Sequence, residues 1–148
     1  MLIVKKKKIS TLVLIMITCI AVFSLTAYAT ENGSVYPQAS EYIRTTSVVL
    51  KSEGSNGKLL SENKIGATRI VDKLGIKTLE IQTKVNGYWR KYETIIKDSY
   101  KYDTTTFIYD FYYYGNPGTE YRTYVEFYVE DDGGSETKIV TSLPKTAE

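Results

Sequence analysis

Residues 79–85 alternate cleanly between apolar and polar. Leu79, Ile81 and Val85 fall on one face with Thr83, and Glu80, Gln82 and Lys84 on the other. A period of two predicts a strand buried on one side. The alternation returns at 104–114, where Phe107, Tyr109, Phe111 and Tyr113 interleave with Ile108, Asp110 and Tyr112. It returns again at 120–130. There Tyr121, Thr123, Val125, Phe127 and Val129 are expected inside, and Arg122, Tyr124, Glu126, Tyr128 and Glu130 outside. Less regular β-type runs cover 42–51, 58–71, 88–97 and 135–143. Turn residues separate them at Glu53-Gly54-Ser55-Asn56-Gly57, Gly115-Asn116-Pro117-Gly118 and Asp131-Asp132-Gly133-Gly134. Seven short runs without a 3.6-residue period predict an all-β fold, a two-sheet antiparallel sandwich of about seven strands.

Asn86-Gly87 follows the 79–85 run at once. Both residues accept positive φ, so a two-residue type I′ hairpin is expected. That register pairs Val85 with Tyr88 and Ile81 with Tyr92. It sets Trp89 opposite Lys84 on the outer face, and a bulge would reverse the side.

The N-terminal pattern is different. Lys5 to Lys8 form a basic cluster, residues 9–25 are seventeen uncharged and mostly apolar positions, and Ala27-Tyr28-Ala29 is a small-x-small site. This is the order of a secretory signal helix, with cleavage after Ala29. An uncleaved anchor is the competing expectation, but the apolar run is near the lower limit for a span. Cys19 lies midway through that run after Thr18, a poor context for lipidation. Residues 1–29 are thus a signal peptide, 30–40 a flexible leader, 41–143 the sandwich domain and 144–148 a disordered tail. The membrane enters only through the signal before cleavage, and a secreted, extracellular location follows.

Composition changes meaning once the signal is removed. The full chain is +2, but four of its nineteen basic residues and none of its seventeen acidic ones lie in residues 1–29, so the rest carries about −2. The basic balance therefore implies no nucleic-acid affinity. The remaining 119 residues suit one domain. They contain neither Cys nor His, which excludes disulfides, thiol nucleophiles, imidazole catalysis and zinc sites of the usual kind.

Two stretches carry resemblances. Asn116-Pro117-Gly118-Thr119-Glu120-Tyr121-Arg122, leading into an alternating strand and the Asp131–Gly134 turn, resembles the E–F corner, strand F and F–G turn of fibronectin type III domains. The resemblance implies a fibronectin III/immunoglobulin-like sandwich with Tyr121 in a tyrosine corner. The chain departs from that pattern in lacking the strand-B tryptophan and in having Gly115 where a leucine is usual. A longer pattern runs through Val71-Asp72-Lys73-Leu74-Gly75-Ile76, Asn86-Gly87-Tyr88-Trp89, Tyr121-Arg122 and Gly133-Gly134-Ser135-Glu136-Thr137. It is similar to a family of small secreted Gram-positive proteins known only as a domain of unknown function. That resemblance implies a secreted β-sandwich and transfers no activity or cofactor.

Candidate chemistry is sparse. Glu126, Glu130, Asp131 and Asp132 are expected as a solvated strand face and turn; a glycosidase pair or a weak calcium site are the alternatives. Without His a serine hydrolase would need a lysine base, and no Ser-x-x-Lys arrangement lies in a helix-like context. Leu143-Pro144-Lys145-Thr146-Ala147 resembles a sortase sorting signal without the apolar segment and basic tail. No catalytic residue, metal or cofactor is expected. The unusual feature is aromatic load: residues 88–128 hold eleven of the thirteen tyrosines that follow residue 29, with Trp89 and three phenylalanines. Tyr112, Tyr114, Tyr124 and Tyr128 are predicted outward and are the candidate ligand-binding residues. The expected function is a non-catalytic extracellular interaction module at or near the cell envelope, its partner open between a cell-surface protein and a glycan. Carbohydrate recognition by the exposed tyrosines is the alternative, and a secreted hydrolase a remote one.

Overall fold

A computed structural model describes residues 40–148; the expected signal peptide, its expected cleavage site at Ala29 and nearly all of the expected leader lie outside the described residues. The described chain is antiparallel β-sheet without a helix. Its strands are β1 (Ile43–Ser52), β2 (Lys58–Val85), β3 (Tyr88–Tyr114), β4 (Glu120–Asp131), β5 (Gly134–Thr141) and β6 (Lys145–Thr146). All six belong to one sheet.

Four of the expected runs are fused in pairs. The 58–71 and 79–85 runs are one 28-residue strand, β2, and the 88–97 and 104–114 runs are one 27-residue strand, β3. The break expected between them is taken up by irregularities within the ladder. Register shifts fall between Gly66 and Val71, Leu79 and Glu80, and Ile81 and Gln82. Asp98 and Asp103 adopt φ of 54° and 49°, a region that aspartate tolerates through its short polar side chain. Polar residues that read as a loop are therefore kinks in a continuous strand.

β2 is the hub. Its first half pairs with β1 from Leu59 to Ala67, and its second half pairs with β4 from Lys73 to Thr83. β3 runs along its other side throughout. One half of the sheet is thus ordered β1–β2–β3 and the other β3–β2–β4–β5. The sheet curls, and the inner faces of the halves meet. Ile65 and Phe107 from one half share a core with Leu74, Ile76, Leu79, Val125, Phe127 and Val129 from the other. Fully burying such side chains stabilises by about 1.5–3 kcal/mol each. A buried polar seam crosses the same interface: the Ser61 and Thr123 hydroxyls lie 2.9 Å apart, and the Asn63 amide donates to Ser61 Oγ at 3.1 Å and to the Tyr109 carbonyl at 2.9 Å. Every inward residue expected in β4 is buried, from Tyr121 to Val129.

The Asn86-Gly87 turn has φ of 52° and 82°, with Val85 opposite Tyr88 and Lys84 opposite Trp89. The expected Ile81–Tyr92 pair does not form. A bulge slips the register, so Ile81 faces Glu93. Tyr92 instead leans its ring edge-on to Tyr113 and Tyr121. The last five residues are not a disordered tail. β6 pairs with Glu120 and Tyr121, and Ala147 is buried beside Leu50, Leu59, Ile81 and Tyr121. A small side chain caps the core end, and two backbone bonds, Ala147 N–H to Thr119 O at 3.0 Å and Gly118 N–H to Ala147 O at 2.8 Å, hold it there.

Tyr121 forms a corner of its own. Its buried hydroxyl accepts the Asn116 backbone N–H at 3.0 Å, fixing the loop before β4. A Cβ on Gly115 would collide with the Tyr121 ring, which explains glycine at that position. Tyr121→Phe keeps the packing and removes one hydrogen bond, so about 1 kcal/mol should be lost. Gly115→Ala displaces the ring and should cost about 1–3 kcal/mol. Urea unfolding with unchanged slope measures both; a neutral Gly115→Ala would contradict the corner.

Candidate functional site

Alternation in β4 sends Arg122, Tyr124, Glu126, Tyr128 and Glu130 to the outer face of the second half. Pairing with β2 brings a second row beside them. Gln82 faces Arg122, Glu80 faces Tyr124, and Gly75 faces Tyr128. The outcome is a surface of rings with cations over them. The Arg122 guanidinium lies 4.6 Å from the Trp89 ring centre, and Lys84 Nζ lies 5.0 Å from it. Arg122 Nε also donates to Gln82 Oε1 at 2.9 Å. Partial burial lowers the Arg122 pKa from its ordinary value. At the other end of the face, Lys73 Nζ sits 4.4 Å from the Tyr100 ring and 5.3 Å from that of Tyr128.

Gly75 makes the second group possible. It lies between Tyr100 on β3 and Tyr128 on β4. With no side chain between them, the two rings meet edge-on, 5.6 Å apart and inclined by 64°. A Cβ on Gly75 would strike the Ser99 carbonyl oxygen. The hydroxyls point to carboxylates: Tyr100 donates to Asp98 and Tyr128 to Glu130, each at 2.8 Å.

The candidate tyrosines are not brought together. Tyr124 and Tyr128 are half-buried on β4, separated by Glu126, which pairs with Lys77 at 3.0 Å. Tyr112 and Tyr114 are exposed at the far end of β3, in the other half. Because the inner faces of the halves meet, their outer faces point apart, and the four rings form two groups. Periodicity placed each ring on the outside correctly. It carried no information about Trp89, Arg122 and Gln82 meeting, since that contact depends on pairing between residues about forty positions apart. The four carboxylates at 126–132, expected as a solvated strand face and turn, do not form one cluster. Asp131 turns inward and binds Arg69, with its Oδ2 at 2.7 Å from Nε and 2.6 Å from an Nη, while Glu126 and Glu130 pair with Lys77 and Lys73.

β3 itself carries most of the uncovered apolar surface. Tyr88, Tyr92, Tyr102, Ile108, Tyr112 and Tyr114 are all at least half exposed. Among the described residues β3 pairs only with β2, so one edge of all its 27 residues is free. Two open surface hollows lie elsewhere, beside β1 and β6. One of about 340 Å³ is lined by Val48, Val49, Leu50, Lys51, Leu143 and Lys145. The other, of about 550 Å³, is lined by Lys51, Ser52, Glu120, Pro144, Lys145, Thr146 and Glu148. In the second, Glu120 is paired with Lys84 at 2.7 Å. Among the described residues no group of three or more His, Cys, Asp or Glu is placed to hold a metal ion.

Comparison with known families, curated proteins and solved structures finds no match to this chain.

Three phenols are held above the ordinary tyrosine range. Burial is the main cause for Tyr100, Tyr113 and Tyr124; in Tyr100 the hydrogen bond to Asp98 adds to it. A raised folded-state pKa means that the neutral phenol favours the fold. Its contribution is complete below the unfolded value near pH 10 and is lost as pH rises through the folded value. The urea midpoint should therefore fall above about pH 10, together with late-titrating tyrosinate absorbance. Tyr113→Phe should flatten the alkaline loss; a midpoint level through pH 11.5 would contradict it.

Proposed function

We propose that this chain is an exported, non-catalytic interaction module that meets a protein partner at or near the cell envelope through the tyrosine-bearing strand β3. The observation that carries the reading is the free edge of that strand with its six exposed large side chains. Three of them, Ile108, Tyr112 and Tyr114, lie together on the outer face of the first half, and uncovered apolar surface of this kind is characteristic of contact sites. Tyrosine suits such a surface because it offers broad contact area and a polar tip at small conformational cost. Sugar recognition is the less favoured reading, since it wants rings lying flat side by side. Tyr100 and Tyr128 meet at 64°, and the four candidate tyrosines lie in two groups.

The module is read as a fibronectin III-like sandwich. Cutting β2 and β3 at their kinks gives, besides the two-residue β6, seven segments, one layer ordered β1–β2–β3 and the other β3–β2–β4–β5. That is a three-on-four arrangement of the fibronectin kind. The Tyr121 corner just before β4 supports the same reading. Export rests on the Lys5–Lys8 cluster, the apolar run and the Ala27-Tyr28-Ala29 site.

Two measurements test the proposal. Protein recovered from the medium of an expressing Gram-positive host should begin at Thr30, as read by N-terminal sequencing. Retention in the membrane with residues 1–29 attached would overturn release. In the second, immobilised protein is offered purified surface proteins and purified wall polysaccharide separately. Saturable binding to a surface protein, weakened about tenfold or more by Tyr112→Ser with Tyr114→Ser, is expected; tenfold corresponds to about 1.4 kcal/mol. Binding to polysaccharide that disappears in Tyr124→Ala or Tyr128→Ala would favour the sugar reading instead.

A further inference from the structure

The two ends of β3 differ in how their free edge is guarded. Residues 88–98 carry five charges, Arg90, Lys91, Glu93, Lys97 and Asp98. Register shifts opposite Leu79–Gln82 kink this part further. Charges and bulges are the usual means by which an edge strand repels another chain. Residues 104–114 are less guarded: their one register shift lies at the very start, opposite Thr104–Thr106. Their eleven positions hold one charge, Asp110, and seven large aromatic or aliphatic residues, with no proline or glycine. The positive-φ kink at Asp103 ends just before this stretch.

We propose that residues 104–114 of β3 pair antiparallel with the same residues of a second copy, about a two-fold axis at Tyr109. The inference rests on the reading of β3 as the contact strand and adds a second copy at its free edge. Three features select a second copy. First, the register is self-consistent: Asp110 falls opposite the partner's Ile108, whereas an axis one residue further on would oppose the two Asp110 carboxylates. Second, the inner side chains at this edge, Tyr109, Phe111 and Tyr113, are only half-buried in the monomer. In the pair Tyr109 meets its own copy and Phe111 meets the partner's Phe107, aromatic cross-strand contacts of a favourable kind. Third, the outcome is closed. Such an interface uses the same patch on both copies, and neither copy has this edge left over. The two sheets become continuous, and the outward Tyr112 and Tyr114 of both copies come onto one surface.

The test expresses the full chain and follows the purified product by light scattering. Its weight-average mass should rise from one chain to two between about 1 and about 300 µM, a range that brackets a micromolar interface of modest size. Ile108 is exposed, so substitutions there leave the monomer core intact. Ile108→Asp sets a carboxylate against the partner's Asp110 and should remain monomeric to the highest concentration. Ile108→Lys sets an ammonium against it and should dimerise at least as well as the parent. This opposition of signs separates pairing from simple damage to the fold. Urea midpoints of both variants, measured at about 1 µM, should match the parent. A parent that stays monomeric, a series that grows beyond two chains, or equal behaviour of the two Ile108 variants would each overturn the proposal. If the parent is monomeric yet still binds a surface protein in a Tyr112-dependent way, only the self-pairing fails.

Discussion

The structure depends on one constraint: a 28-residue strand must fold back over its own second half. β2 could not remain flat, because Leu59 and Ile65 at one end and Leu74, Ile76 and Ile81 at the other would each leave an apolar face in water. The curl between Gly66 and Val71 turns those faces together. Gly66 is buried there, and a Cβ would press on Thr45 Oγ1. The Arg69–Asp131 pair ties this bend to the far end of β4, and Thr68 N–H bonds to the Tyr42 carbonyl at 2.8 Å. Breaking the ion pair by removing Arg69 would leave a carboxylate that is almost wholly buried.

The placement of the outward side chains follows from that curl. It gives the sheet two outer faces that point apart, one with Trp89, Arg122 and the Tyr100–Tyr128 pair, the other with Tyr112 and Tyr114. It also leaves β3 at the border of both halves, with one side paired and, among the described residues, the other free. The first face is internally matched, since its cations lie over rings or beside carboxylates. The second carries its own match, Lys58 Nζ 4.0 Å from the Tyr112 ring, and the exposure of Tyr112 and Tyr114 draws the contact reading to the end of β3.

The buried hydroxyl and amide seam of Ser61, Asn63 and Thr123 has a separate role. Apolar residues could slide past one another between the layers, but hydrogen bonds of 2.9–3.1 Å hold one register. A buried polar group is costly unless it is satisfied, so a slipped register would leave these groups unpaired. Ser142 extends the seam: its hydroxyl accepts the Thr123 N–H at 3.0 Å, and its own N–H bonds to the Thr123 carbonyl at 2.9 Å.

Local rules were enough for the β character, the inward set of β4, the Asn86-Gly87 hairpin and the turn at Asp132-Gly133, because side-chain alternation and positive-φ preferences act over a few residues. The glycine at 115 was visible as a departure, but its reason was not, since the ring it accommodates lies six positions on and folds back through a hydroxyl bond. The fusion of four runs into β2 and β3 was hidden for a related cause. Asp98 and Asp103 have the composition of a loop, and only pairing with β2 on one side makes them kinks in a strand. Ala147 read as tail because nothing nearby in sequence packs on it; its neighbours Leu50, Leu59 and Ile81 come from β1 and β2. The sequence by itself determined which residues of β4 face inward and which side chains could do chemistry. Only the tertiary structure decided which outward residues meet, because the curl of one long hairpin, a property of the whole sheet, sets those distances.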